Sequence, residues 1–427
     1  MDLANRRKNL TARATLATAA SWRHVLPAAL PLLLCRCDYQ SAGDHRLTSL
    51  RLTLHSPKSS ELGSPTAPQQ VPSLSFDVEA LDEKGQMFPA STMLSAFLAA
   101  GGSRLSLSNP CAAPAPGGDP PWLLQRIPLL DGRAQNIDIG LGNPGIFGRV
   151  ELNLEDQQSQ ALGSSPSIYF PNPTIPRLVT PLDPNAGNAS YCSPYLGRQV
   201  VIDHATSGGK LVVSSVFQSG IGVSDSGASD YNSLYVFTFG QPPSYLRLGT
   251  VVNRMSGAIA KFNGMTQLAN PAITAADELR SDLIPPPVVL DASRLPDNKA
   301  MDQVNNKWLT RHIAAPARIT GVVCEVKNDA GRRDNWLKYN TVVINLVDSD
   351  PASTAGCSPG QDFSFRYFSV QMPGKGFAGF DPLVAAGQMG TFTGMLMNSA
   401  SKSGKTLYWT VAVRATGDVC LPSGAGC

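Results

Sequence analysis

Apolar and polar positions alternate in short runs along most of this 427-residue chain, and a period of two is that of strands with one buried face. The densest stretch is 197–275. Arg198–Asp203, Lys210–Val216, Ile221–Asp225 and Leu234–Phe239 read as strands, followed by Leu248–Val252, Met255–Ile259 and Met265–Leu268 at short spacing. Five or six strands in about seventy residues predict a small β-barrel, with Gly208-Gly209 as the hairpin turn between the first two. The pattern resumes over 317–427 in Arg318–Val326, Asn340–Val347, Phe363–Val370, Gly390–Leu396 and Leu407–Val413, predicting a second barrel. Ahead of both, Leu50–Leu54, Val71–Leu81, Arg104–Ser108, Asn136–Leu141 and Val150–Glu155 predict strands of a β-sandwich over 45–160, with Asp82–Gly85 as a turn. Residues 161–196 carry six prolines between Pro166 and Pro184 and little periodicity, which reads as a semi-rigid linker. Residues 276–316 read as a second linker with short helices, one around Ala275–Leu283 that stops before Pro285-Pro286-Pro287 and one over Met301–Trp308.

The two barrel stretches share a signature. Leu246-Arg-Leu-Gly249 is followed by Gly257-Ala-Ile, and Leu383-Val-Ala-Ala-Gly387 by Gly394-Met-Leu. In this the pair resembles tandem OB-like domains of secreted bacterial proteins, some of which accompany nucleases. The N-terminal strand spacing resembles that of exported bacterial immunoglobulin-like modules. Together the resemblances imply an all-β chain: an N-terminal immunoglobulin-like sandwich followed by two OB-like β-barrels.

Composition changes the picture at the amino terminus. Residues 1–37 hold six basic side chains against Asp2 alone, and without them 29 basic groups face 31 acidic ones, so the remainder has no footprint for a phosphate backbone. Arg6-Arg7-Lys8 through Arg23 precede the apolar run Val25–Leu34, the order of an export signal too short to span a bilayer. Cys35 and Cys37 follow directly, which resembles a bacterial lipoprotein signal and implies acylation of one of them, with 38–44 as a tether. The content of 34 Pro and 38 Gly favours many turns and little helix.

No Cys-x-x-Cys pair accompanies the few His, so zinc spacing is absent. Cys111, Cys192, Cys324, Cys357, Cys420 and Cys427 read instead as disulfide candidates of an exported chain. Cys324 with Cys420 and Cys357 with Cys427 are plausible pairs, and Cys111 and Cys192 pair or remain free.

The motifs that look chemical reduce to turns. Gly140-Leu-Gly-Asn-Pro-Gly145 matches a dinucleotide fingerprint but runs into a strand where a phosphate site needs a helix. Ser403-Gly-Lys-Thr406 ends like a P-loop but lacks its first glycine. Asp203, His204 and Ser207 are adjacent in sequence, yet neighbours on a strand point to opposite faces. Asp225 and Asp230 share one Ser/Gly loop that could hold calcium weakly; no other cofactor is expected. Tyr235, Phe237 and Phe239, and in the second barrel Phe363, Phe365, Tyr367 and Trp409, could stack bases, but without basic neighbours they read as core filling.

The expectation is an exported, non-enzymatic protein at the periplasm, outer membrane or cell surface of a bacterium. It is held at the membrane by a lipid anchor, and it binds an envelope protein or glycan or builds envelope structure. The alternative is an extracytoplasmic nucleic-acid-binding or nuclease-accessory protein using its OB-like domains, against which the charge balance argues.

Overall fold

The computed structural model describes residues 46–107, 110, 118–143, 145–182, 192–290, 307–326, 330–346, 367–373, 380–400 and 407–421. The leader 1–37 with Cys35 and Cys37, the tether 38–44, Cys111, Cys357, Cys427, Phe363, Phe365 and the Ser403–Thr406 motif lie outside them. So does most of the expected helix at 301–308, of which Lys307 and Trp308 begin the helix Lys307–Arg311.

The first β unit comprises β1 (Ser49–Ser56), β2 (Ser73–Leu81), β3 (Thr92–Ala100), β4 (Ser103–Arg104), β5 (Leu123–Leu129), β6 (Arg133–Gly140), β7 (Gly148–Asp156), β8 (Leu162–Ser164) and β9 (Ile168–Phe170). β2 pairs with β1 and β6, β3 lies between β5 and β7, and β8 links the two groups by pairing with β1 and β7. Alternation does what it should in β2 and β7. Leu74, Phe76, Val78 and Ala80, with Val150, Leu152 and Leu154, are at most 1 % exposed and share one core with Leu94 and Leu98. β3 was not expected, because both of its faces are covered and it shows no alternation. Phe97 on its other face packs edge-on to Trp122 under the Arg104 guanidinium, 4.4 Å from the ring. Conversely, the strand expected at 104–108 is only the two residues of β4.

The proline-rich stretch 161–196 is more than a linker. It supplies β8 and β9 to the first unit, then the helix Ile175–Val179, with Thr174 as its cap and Pro176 in its first turn. Ile175, Leu178 and Val179 are buried in the core of the first barrel.

That barrel contains β10 (Gln199–Asp203), β11 (Leu211–Phe217), β12 (Gly220–Asp225), β13 (Ser233–Phe237), β14 (Thr250–Phe262) and β15 (Met265–Leu279). β11, β12, β13, β15 and β14 close a five-stranded ring, parallel only between β13 and β15. β10 lies on β14 beyond β11 and does not pair with β11, so Gly208-Gly209 breaks one edge and makes no hairpin. Two expected strands merge into β14. β15 runs through the expected helical turn because Thr274, Ala275 and Leu279 stay paired with β14 across shifts in register, and only Ser281–Leu283 winds into a 3-10 turn.

The second barrel repeats the order. β16 (Val288–Leu290), β17 (Pro316–Val323), β18 (Thr341–Leu346), β19 (Tyr367–Gln371), β20 (Met389–Ala400), β21 (Leu407–Val413) and β22 (Val419–Cys420) form one sheet. In it β17, β18, β19, β21 and β20 close the ring, with β19 and β21 parallel. The helix Ala330–Tyr339, between β17 and β18, was not expected. The shared glycine signature has a physical reason. Gly257 and Gly394 occupy the fourth strand of each ring; a Cβ at Gly257 would stand 2.6 Å from the Ala269 carbonyl of the fifth strand, and one at Gly394 would strike the Ala412 carbonyl. The description as all-β with closed barrels thus stands.

Both barrels lie within one compact unit and pack directly. Leu234 and Val236 fill the first barrel, whereas Tyr235 and Met265 join the apolar cluster of the second, with Phe217 and Phe237 against it.

Candidate functional site

The aromatic residues of β13 are the first correction at the level of sites. Their period of two does put Tyr235 and Phe237 on one face, but that face looks out of their own barrel towards the other one. Phe239, 65 % exposed, folds back on Phe237 with ring centres 4.4 Å apart. In the second barrel Trp409 is a core residue, 1 % exposed.

Asp225 and Asp230 have different partners. Asp225 is buried, and its two oxygens accept from the Ser207 hydroxyl at 2.7 Å and the Gly227 amide at 3.0 Å, so it ties the 203–210 loop to its own turn. Asp230 faces Arg311, at 3.8 Å. Among the described residues no group of three or more His, Cys, Asp or Glu is arranged to hold a metal. The Ser207 bond to Asp225 also takes Ser207 away from His204, while Asp203 caps the turn through the Thr206 amide.

Among the cysteines, Cys192 and Cys324 are buried and Cys420 ends β22. The sequence suggested that Cys324 and Cys420 sit on neighbouring strands. Instead β17 and β22 flank β20, with Thr391 opposite both Thr320 and Cys420. Gly140–Gly145 is the β6–β7 connection, held where the Asn143 side chain accepts from the Gly145 amide. The neighbouring Phe147 ring lies under the Arg198 guanidinium, which also donates to the Gly145 carbonyl. Burial lowers the pKa of Arg198. This contact joins the first unit to the first barrel.

The feature that sequence reasoning missed is a cleft of about 900 Å³ between the barrels. One wall is the end of β11, the β11–β12 turn and the 241–248 loop; the other is the ends of β19 and β21 with β20. Its depth follows from how the barrels dock. Gly222 on β12 leaves room for Met395 of β20, because a Cβ there would strike the Ser215 hydroxyl and lie 3.1 Å from the Met395 sulfur. The Arg414 guanidinium crosses from the second barrel to donate to the Ser214 carbonyl at 2.9 Å, held by two bonds to Asp418 at 2.6 and 2.9 Å.

The lining is mixed. Phe217, Leu246, Leu248, Met372, Met395 and Met397 give an apolar floor, and Gln218, Gln241, Gln371, Ser219, Ser244 and Arg247 give polar edges. Tyr235, 8 % exposed, shares a hydrogen bond with Ser219 at 3.3 Å, and burial raises its phenol above the ordinary value. It therefore stays neutral and able to donate. The lining residues come from sequence positions as distant as 216 and 414, so no local motif marks them. The nearest signals were Pro242-Pro243 and the alternating Met395 and Met397.

Among the described residues, no helix is long and apolar enough to cross a membrane. Neither a protein-family model nor a curated protein matches this chain.

Proposed function

We propose that this chain is an exported, non-enzymatic binding protein of the bacterial cell envelope, tethered by lipid on Cys35 or Cys37, and that it binds its ligand in the cleft between its barrels. The observation that carries this reading is the cleft itself, a concave surface with an apolar floor and convergent polar edges, as ligand sites generally have. A spacer would have no need of it.

On this reading both barrels are OB-like. Support comes from the ring order, first, second, third, fifth and fourth strand, with only the third and fifth parallel. OB barrels take oligomeric ligands on the face of strands two and three and the adjoining loops. The matching parts of the first barrel, Tyr235 on β13 and the turn Gln218-Ser219, border the cleft. The first unit is immunoglobulin-like, a reading supported by its two groups of strands sharing one core. Export is supported by the basic and apolar leader and by the sulfurs of Cys192, Cys324 and Cys420, none of which is a free thiol. A binding role is further supported by the separate hydrogen-bond duties of Asp203 and Ser207.

Two measurements test the proposal. Wild-type protein should stay with the membrane fraction while the double variant Cys35→Ser, Cys37→Ser is released; equal release of both would remove the anchor. At about 0.15 M salt, single-stranded DNA should not be retained. Clear retention that weakens steeply with salt would instead make this a nucleic-acid protein.

A further inference from the structure

The polar atoms of the inter-barrel cleft narrow the chemistry of what fits it. Gln218, Gln241 and Gln371 all line it, and none of their side-chain amides hydrogen-bonds to the protein among the described residues. A primary amide offers two donors and an acceptor, the complement of a peptide group. Among the described residues no carboxylate lines the cleft. Of its two cations, Arg414 is neutralised by Asp418, while the exposed Arg247 has no acidic partner among the described residues. The site therefore presents one uncompensated positive charge beside an apolar floor rich in methionine, a side chain that reshapes itself around different apolar groups.

Resting on the reading of this cleft as the binding site, we propose that its ligand is an extended polypeptide segment carrying apolar side chains and a carboxylate. The apolar side chains enter the floor between Phe217, Met395 and Met397, the main chain meets the three glutamines, and the carboxylate meets Arg247. An acyl chain would leave the glutamine amides facing hydrocarbon, which costs free energy for every unpaired group. A sugar ring stacks on an open aromatic face, whereas Tyr235 is buried and Phe217 leans on it with ring centres 6.4 Å apart.

The test uses the full chain and fluorescence anisotropy at about 0.15 M salt. The probes are a labelled pentapeptide of alternating leucine and glutamate and its counterpart with glutamine for each glutamate. The acidic peptide should bind about tenfold more tightly than the neutral one, as a charge-assisted hydrogen bond to arginine allows. Arg247→Ala should erase that preference. The double variant Gln218→Ala, Gln241→Ala should weaken both peptides about tenfold at an unchanged melting temperature. Equal affinity for the two peptides, a preference that survives Arg247→Ala, or no binding of either overturns the inference. Neutral and acidic oligosaccharides run in parallel separate the two levels of the proposal. If a sugar binds and the glutamine variant loses it, the cleft remains the binding site and the polypeptide assignment falls; if nothing binds, both fall.

Discussion

Gly222 shows how one missing side chain sets the relation of two barrels. Because its absent Cβ is the space that the Met395 sulfur and the Ser215 hydroxyl occupy, Gly222→Ala should cost about 1 to 3 kcal/mol through overpacking. Urea denaturation of the full chain should record this as a lower midpoint with an unchanged slope; an unchanged midpoint would mean that the interface yields freely. Behind Gly222, Ser224 bonds to Ser214 at 2.8 Å and to Ser233 at 2.7 Å, and Ser233 donates to Asn232, so these buried hydroxyls satisfy one another across three strands. Little of this was legible beforehand. A serine within a strand looks like its solvent face, and only the second barrel covering that face reveals these positions as interior. Asp225 is similar: its loop is rich in oxygens, but this carboxylate serves the Gly227 amide of its own turn and the Ser207 hydroxyl of the neighbouring loop.

At the scale of elements, the turn after β7 ties three segments together through Asp156. Its carboxylate accepts from Thr92 at the start of β3 at 2.8 Å and from the Ser159 hydroxyl at 2.6 Å. Burial alone would raise this carboxyl, but the hydrogen bonds outweigh it and hold its pKa below the ordinary value. A depressed folded pKa contributes stability that is present above the unfolded value, about 3.9, and is lost as pH falls through the folded one. The melting temperature of the wild type should therefore drop more between about pH 6 and pH 3 than that of Asp156→Asn, which retains an acceptor without titrating. Parallel curves would remove Asp156 as a source of the acid sensitivity. Element legibility followed burial. β2 and β7 each turn one face to the core and alternate, so they could be read. β3 is covered on both faces and could not. β15 extends past Pro271 into Ala-Ala-Asp-Glu-Leu, a helix-favouring run that pairing with β14 overrides.

Across the whole molecule, the two rings behave as one body because apolar residues of one, Tyr235 and Met265, lie in the cluster of the other. Arg414 adds a polar clasp that is mostly buried, with side-chain exposure of 14 % against 12 % for Asp418. Arg414→Met should cost about 1 to 3 kcal/mol, somewhat less than a fully buried pair because some solvent reaches it. Adding Asp418→Asn should then cost little more, since the pair acts as a unit; additive losses in urea denaturation would contradict the clasp. That the chain is a tandem of similar barrels was legible in the repeated Gly-Ala-Ile and Gly-Met-Leu. The cleft was not, because docking and no local pattern brings residues 216–248 and 371–414 to one place.

Closing each ring uses the main-chain donors and acceptors of its five strands against one another. Within the two barrels, β10, β16 and β22 add five, three and two residues at the rims, and β15 runs past its pairing with β13 at Gln267–Ala269, so that Asn270–Leu279 is paired on the β14 side. Uncontrolled polymerisation by strand recruitment needs a long, flat border; the additions are too short to offer one, and the β15 extension carries Pro271, Asp277, Glu278 and bulges against β14, the features that blunt an edge.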